Sequence, residues 1–240
     1  MTPALSIVIP AYNEEDYLPQ TLATIQQAIH AYQSAAGVEV IVVDNGSSDA
    51  TADHARRLGA TVVVEPRRGI AAARNTGATH ARAEWLFFID ADTPIPDNAI
   101  TEVLRVFERG DIGGALLPVY RPSKRSVRAL CRVWEWYAVR RNMAQGVAMF
   151  CIRSVFFRLG GFDETMFMAE DSDFYHRLNR HGEQINRPVV FLDHVPVRPS
   201  LRRHEQWPAW KMIFWTNPLT TRLFLRSRWF WRGWYDTTPR

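Results

Sequence analysis

The chain has 240 residues, 47% of them hydrophobic and 22% charged, a balance that excludes a disordered chain and leaves room for a substantial core. Two cysteines, Cys131 and Cys151, are too few for a disulfide framework and read as small core residues in a reduced compartment. The net charge of +4 divides unevenly: residues 1–120 hold 8 Lys+Arg against 15 Asp+Glu, giving −7, and residues 121–240 hold 21 against 10, giving +11.

All the cations except Lys124 and Lys211 are arginines, whose planar fork favours phosphate, carboxylate or an anionic surface. No zinc-finger spacing, RNA-binding aromatic signature or basic heptad pattern accompanies them, so nucleic acid is not the expected partner. No basic segment followed by an apolar core opens the chain, and no apolar stretch approaches the ~20 residues of a membrane span. A cytoplasmic protein is expected.

Taken in chain order, the first half alternates strand and helix. Leu5–Pro10 is a short apolar strand, followed by a helix that places Leu18, Leu22, Ile25 and Ile29 on one face. Val38–Val43 is a second buried strand, ended by the turn cluster Asp44-Asn45-Gly46-Ser47-Ser48-Asp49. A short helix through Leu58, the strand Thr61–Val64 and a small-residue helix over Gly69–His80 come next. The run Trp85–Ile89 is a buried strand leading into Asp90-Ala91-Asp92, and residues 97–109 form an amphipathic helix with Asp97 as its expected cap. This rhythm predicts an α/β fold with a mainly parallel sheet and helices on both faces.

The second half is less regular. Strands are expected over Ala115–Tyr120 and Val147–Ile152, separated by a basic, aromatic helix around Lys124–Asn142. A loop at Gly160–Glu164, a helix over Glu170–His181 and a last strand at Val189–Leu192 complete the elements. The last 34 residues crowd Trp207, Trp210, Phe214, Trp215, Phe224, Trp229, Phe230, Trp231, Trp234 and Tyr235 among Arg222, Arg226, Arg228 and Arg232. Pro208 and Pro218 interrupt this tail, which either packs over the sheet or meets a membrane interface.

Parallel strands bring their C-terminal ends to one edge, so Asn13-Glu14, Asp44 and Asp90/Asp92 are expected to converge there. Hard oxygen ligands at such an edge suit Mg²⁺ or Mn²⁺ bridged to phosphates, and a solvated Asp turn before Thr93-Pro94 is the other reading of the pair. No G-x-G-x-x-G and no G-x-x-x-x-G-K-[ST] occurs, which argues against dinucleotide oxidoreductases and P-loop enzymes.

Six segments in order carry a resemblance. Ser6–Glu15, Val42–Thr51, Gly69–Gly77, Asp90-Ala91-Asp92, Gly160–Glu164 and Glu170-Asp171 are similar to the successive motifs of family-2 glycosyltransferases of the GT-A fold. That resemblance implies a single domain over residues 1–200, with a nucleotide-sugar half (1–110) and an acceptor half (111–200), followed by the basic aromatic extension 201–240. It implies that Pro10, Ala11, Tyr12 and Glu14 border the nucleotide, Glu14 reaching the ribose. Asp44 would accept from the base, Arg74 would lie near the diphosphate or hold the carboxylates, and Ala91 would border the donor. Asp90 would contact the ribose or stand behind Asp92, and Asp92 would be the ligand of Mn²⁺ or Mg²⁺, with Asp90 as a further candidate ligand. Gly161, Phe162 and Asp163 would meet the acceptor.

Asp171, assisted by Glu170, would be the general base of an inverting transfer from a nucleotide-diphosphate sugar, a UDP-sugar being expected, to a hydroxyl of a sugar, a lipid-linked saccharide, a small metabolite or a protein side chain. The helix dipole would keep both acids ionised. His194 and His204 are the imidazoles that would close the metal shell.

Two alternatives remain open in the sequence. Phe87–Thr93 also resembles the nucleophile motif of haloacid-dehalogenase-like phosphatases, with Asp90 attacking phosphorus and Asp171 and Asp173 holding Mg²⁺. Three strands precede this motif, whereas that family opens with it. A non-catalytic nucleotide-sugar-binding module is the other alternative.

Overall fold

A computed structural model describes residues 2–32, 37–141, 144, 146–207, 210–211, 214, 223–227 and 229–231. Seven strands, β1 (Leu5–Ala11), β2 (Val38–Asp44), β3 (Thr61–Val64), β4 (Trp85–Ile89), β5 (Gly113–Pro118), β6 (Ala148–Ile152) and β7 (Val189–Val197), form one sheet in the order β3-β2-β1-β4-β6-β5-β7. The strands β1 to β4 run parallel, β6 is antiparallel to both β4 and β5, and β5 is parallel to β7. The helices among the described residues are α1 (Leu18–Tyr32), α2 (Thr51–Arg57), α3 (Ile70–His80), α4 (Ala99–Glu108), α5 (Arg125–Arg141), α6 (Arg153–Arg158), α7 (Glu170–Gln184) and α8 (Arg202–Gln206).

Alternation along the central strands explains why both faces are covered. Phe87 and Ile89 of β4 point to a core shared with Leu22 and Ile25 of α1 and Val103 and Phe107 of α4. Leu86 and Phe88 point the other way, to Ala73 and Ala78 of α3, Phe156 of α6 and Phe174 and Leu178 of α7. A sheet buried on both faces needs near-continuous apolar strands, which is what LSIVIPA and WLFFI supply.

The topology gathers chain at one edge. The C-terminal ends of β1, β2, β4, β5 and β7 all lie there, and β6, running the other way, starts there. The order reverses between β1 and β4, the position at which open α/β sheets bind ligands.

Several sequence expectations shift. The fifth strand begins at Gly113, two residues before Ala115, because a Cβ at Gly113 would stand 2.5 Å from Phe150 O and one at Gly114 would stand 2.2 Å from Val190 O. These glycines permit close strand packing but carry no strand propensity. The last strand runs on to Val197 rather than ending at Leu192, pairing with β5 through its polar stretch. Asp97 does not cap α4; Asn98 holds the N-cap position and its side chain makes no capping hydrogen bond. Helices α6 and α8 were not expected. Both cysteines are buried thiols. Pro208, Trp215, Pro218, Arg222, Arg228, Arg232, Trp234 and Tyr235 of the tail, and Asn142, lie outside the described residues.

Candidate functional site

One side of the site is built from the ends of β1 and β2. Ala11 is paired with Asp44 in the sheet register, and the Asn45 N–H donates to Ala11 O at 2.8 Å. Asp44 is buried, and its Oδ1 accepts the Ser47 N–H at 3.0 Å, closing the turn beyond the strand. The Arg68 guanidinium lies 3.1 Å from the centroid of the Tyr12 ring while donating from Nη1 to Asn45 O. Asn45 in turn donates from Nδ2 to Glu65 O and Arg67 O and accepts the Gly69 N–H, so it fixes the loop that starts α3.

Arg74 is brought in by the small residues of α3. A Cβ at Gly77 would stand 2.3 Å from Val8 Cγ1, so only glycine lets the helix lie this close to β1 and β2. That contact buries Arg74, whose side chain is 2% exposed. Its Nη2 donates to Asp90 Oδ1 at 2.7 Å and to Gly146 O at 2.8 Å, and its Nη1 donates to Glu170 Oε1 at 3.0 Å. One buried guanidinium therefore ties the acid after β4 to the first residue of α7.

The start of α7 is set by an unusual backbone. Ala169, its N-cap, adopts φ 61°, a left-handed conformation that costs a non-glycine residue about 1–2 kcal/mol. Beyond it Glu170 pairs with Arg74, and Asp171 Oδ2 accepts the Gly146 N–H at 2.5 Å. Gly146 is thus shared: its carbonyl holds Arg74 and its amide holds Asp171.

The electrostatics distinguish these acids. Burial, reinforced by the neighbouring Asp171 charge and opposed by Arg74, pushes the Glu170 carboxyl up to about 7. At Glu170 this loss of solvation opposes the helix dipole that was expected to keep the acid ionised. Asp90 is raised to about 6, chiefly by burial, with Arg74 pulling down and Asp92 pushing up. Glu14 is raised by burial, partly offset by Arg202.

The Gly160–Glu164 loop follows α6. Gly161 takes φ 65°, and a Cβ there would stand 2.7 Å from Asn75 Oδ1. Asn75 clamps the loop, accepting the Phe162 N–H at 2.9 Å and donating to Phe162 O at 2.9 Å. These residues with Asp163, Glu164, Asp173 and Arg177 line a cleft of about 520 Å³. Asp163 Oδ1 is occupied by the Thr165 amide and hydroxyl, and Oδ2 accepts from Arg226 at 3.2 Å. Phe162, which also lines the cleft, packs its buried ring against Phe88, Phe156 and Phe174.

Asp92 has an unexpected partner. Arg202 of α8 donates to its Oδ2 at 2.9 Å and to both oxygens of Glu14, at 2.6 and 3.0 Å. Asp92, Asp90 and Glu14 are hard oxygen donors that suit Mn²⁺ or Mg²⁺ sharing its shell with phosphate oxygens, an arrangement needing only one or two protein carboxylates. Among the described residues no group of three or more His, Cys, Asp or Glu side chains could hold a metal by itself.

Among the described residues neither His194 nor His204 joins a group of three or more potential metal ligands. His194 is exposed and lies 3.4 Å from Glu102, and His204 stacks on Tyr120 with ring centroids 4.4 Å apart. Burial lowers the His204 imidazole to about 4, and its Nδ1 has no hydrogen-bond partner. The phosphatase alternative also fails on geometry: Asp90 is held by Arg74, and Asp173 pairs with Arg177 at 2.7 Å.

Comparison with known proteins follows this arrangement. Residues 6–159 match the family model described as Glycosyl transferase family 2. The chain belongs to glycosyl transferase family 2. An uncharacterized glycosyltransferase of Haemophilus influenzae is 27% identical over 215 residues, covering 82% of this chain and 70% of that protein. An uncharacterized glycosyltransferase of Mycobacterium tuberculosis is 37% identical over 107 residues, and the match covers 45% of each chain, less than half of that relative.

Among solved structures, the mannosyltransferase PcManGT from Pyrobaculum calidifontis, in complex with GDP-Man and Mn²⁺, superposes with a TM-score of 0.68 at 22% identity. That match covers all of this chain and 66% of PcManGT. TarS of S. aureus, in complex with UDP-GlcNAc, gives a TM-score of 0.58 at 18% identity, covering 81% of this chain and 57% of that one. These likenesses establish the GT-A fold of this family-2 chain.

Arg202, Gly146 and Asn75 were missed in the sequence. Asn75 lies inside the third motif and was available to it; the other two had no local signal, since each acts through a partner at least 25 residues away.

Proposed function

We propose that this family-2 chain is an inverting glycosyltransferase that moves a sugar from a nucleoside-diphosphate sugar, a UDP-sugar being the first to test, to an acceptor hydroxyl with Mn²⁺ or Mg²⁺. The observation that carries this reading is the Arg74 junction, which places the acids after β4 and the acids opening α7 on opposite sides of one guanidinium.

In this reading Asp44, Tyr12 and the end of β1 border the base and Glu14 the ribose. Asp92, with Asp90 behind it, would hold the metal, which when bound neutralises charge on the departing diphosphate. Asp171 is the general base. Its two oxygens are aimed by the Gly146 N–H and by the Ser172 N–H, at 2.5 and 2.6 Å. It takes the acceptor proton as the hydroxyl attacks the anomeric carbon from the side opposite the diphosphate, which inverts the configuration. Glu170, paired with Arg74, fixes the start of α7 and takes no proton from the acceptor. Asp163 and the Gly160–Gly161 turn border the acceptor.

A peripheral membrane contact and a lipid-linked acceptor belong to the same reading. On α5, Val133 and Trp136 are 62% and 57% exposed, with Arg132 and Arg140 beside them on the outer face. The α5 acid, Glu135, is turned to Arg121. In the tail, Trp210, Leu223 and Trp229 are exposed whereas Trp207 and Trp231 are buried, so the extension both packs and presents apolar surface. Among the described residues no helix is long and apolar enough to cross a membrane. Exposed aromatics interleaved with arginine suit an interface carrying anionic lipid.

Product analysis tests the transfer. Wild type incubated with candidate donors, Mn²⁺ and lipid or sugar acceptors is expected to give a product of inverted anomeric configuration. Asp171→Asn should bind donor normally yet lose about 10²–10⁴ in rate. Retained configuration, or near-normal transfer by Asp171→Asn, would overturn the assignment.

A further inference from the structure

The segment after β7 is tied to the Asp90–Asp92 loop by its backbone. The Arg198 N–H donates to Pro94 O at 3.5 Å and the Ser200 N–H donates to Asp92 O at 3.0 Å. Two residues later α8 opens with Arg202, whose Nη1 and Nη2 form a fork on Glu14 while Nη2 also reaches Asp92 Oδ2. The three side chains are 11%, 14% and 18% exposed, and the Tyr17 ring lies 4.7 Å from the guanidinium carbon. The far end of α8 is anchored separately, Glu205 accepting the Ser123 N–H at 2.6 Å and Trp207 being buried.

We propose that Arg202 is a latch on the donor site: its guanidinium occupies one of the two Asp92 oxygens open to a divalent cation and sets a positive charge beside the other, so the free metal binds poorly and enters together with the nucleotide. This inference rests on the reading of Asp92 as metal ligand. The physical reason is competition for one carboxylate. A dication at Asp92 Oδ2 displaces the Nη2 hydrogen bond and places its charge beside a fixed positive charge on Arg202. Glu14 still holds the fork from the other side, so the latch is not simply expelled into solvent.

A nucleoside diphosphate changes the balance. It brings oxygen ligands for the cation and, at the same time, an anionic partner for a guanidinium leaving Asp92. Arg202 thereby couples cation binding to nucleotide binding, and it is a positioning residue rather than a catalytic one. A lysine in its place would retain the charge but lose the fork.

The test is Mn²⁺ binding to the intact chain without nucleotide, followed by electron paramagnetic resonance. Arg202→Gln is expected to bind Mn²⁺ alone at least tenfold more tightly than wild type, with Arg202→Lys between the two. With UDP or GDP added, the gap between wild type and Arg202→Gln should shrink at least threefold. Near-ultraviolet circular dichroism of each variant checks that the fold is retained, and Arg202→Lys keeps the test decisive if the glutamine variant fails to fold.

Unchanged Mn²⁺ affinity in both Arg202 variants, with Asp92→Asn abolishing binding, would overturn the latch while leaving Asp92 as ligand. Unchanged Mn²⁺ affinity in Asp92→Asn would instead remove the ligand reading and the latch with it.

Discussion

Arg74 Nη1 donates to Glu170 Oε1 at 3.0 Å across 96 residues of sequence, and both side chains are buried. The same guanidinium holds Asp90, so the two halves of the site are positioned by a group that need not touch either substrate. Buried ion pairs are weak evidence of net stability but severe to break, because the surviving partner keeps a charge with no solvent.

Arg74→Met should therefore destabilise the fold by about 3–5 kcal/mol, read as a lower urea midpoint at unchanged slope. Arg74→Lys keeps a charge but not the three-way fork and should fall between. A loss under about 1 kcal/mol for Arg74→Met would show that Asp90 and Glu170 do not depend on this partner.

Gly146→Ala tests how Asp171 is aimed. A Cβ at residue 146 would stand 2.4 Å from Asp171 Cβ and 2.6 Å from Oδ2, so the carboxylate must move. Displacement of a base on this scale is expected to lower kcat by about 10²-fold with donor affinity unchanged. Wild-type kcat in this variant would contradict the role of the Gly146 amide.

Glu65 carries a pH signature of its own. The Arg67 guanidinium, with the Thr76 hydroxyl and the Arg67 amide, draws its carboxyl down to about 2. A folded value below the unfolded one means that the stabilisation is present above the ordinary glutamate range near 4.5 and is lost as the pH falls toward about 2. The stability difference between wild type and Glu65→Gln should be largest near neutral pH and shrink below that range. A pH-independent difference between pH 7 and pH 2.5 would contradict the assignment.

The parts legible in the sequence share a physical cause. The runs LSIVIPA and WLFFI declare buried strands, and Asp44 and Asp90-Ala91-Asp92 declare strand ends, because these signals lie within a few residues. What escaped the sequence is long-range or steric. Arg202 meets Glu14 only because β7 ends at the same edge as β1, 188 residues away in the chain. Phe162 was placed at the acceptor through the motif Gly160–Glu164, and nothing local announced that its ring would complete an aromatic cluster beneath the loop. Gly113 and Gly114 hid the start of β5, since the close packing that requires glycine is invisible without the neighbouring strands. Glu170 was expected to feel its helix dipole, and the desolvation that opposes it depends on burial, which no local signal announces.

The most direct measurement is a thermal-shift series with UDP-, GDP- and dTDP-sugars, each with and without Mn²⁺, on wild type and Asp92→Asn. Ligands that bind only the native state raise its apparent stability according to their affinity. At least one nucleotide sugar is expected to raise Tm of wild type in a Mn²⁺-dependent manner, with that dependence lost in Asp92→Asn. The absence of any shift across the donors, or an Mn²⁺-linked shift of equal size in Asp92→Asn, would contradict a metal-assisted nucleotide-sugar site at the end of β4.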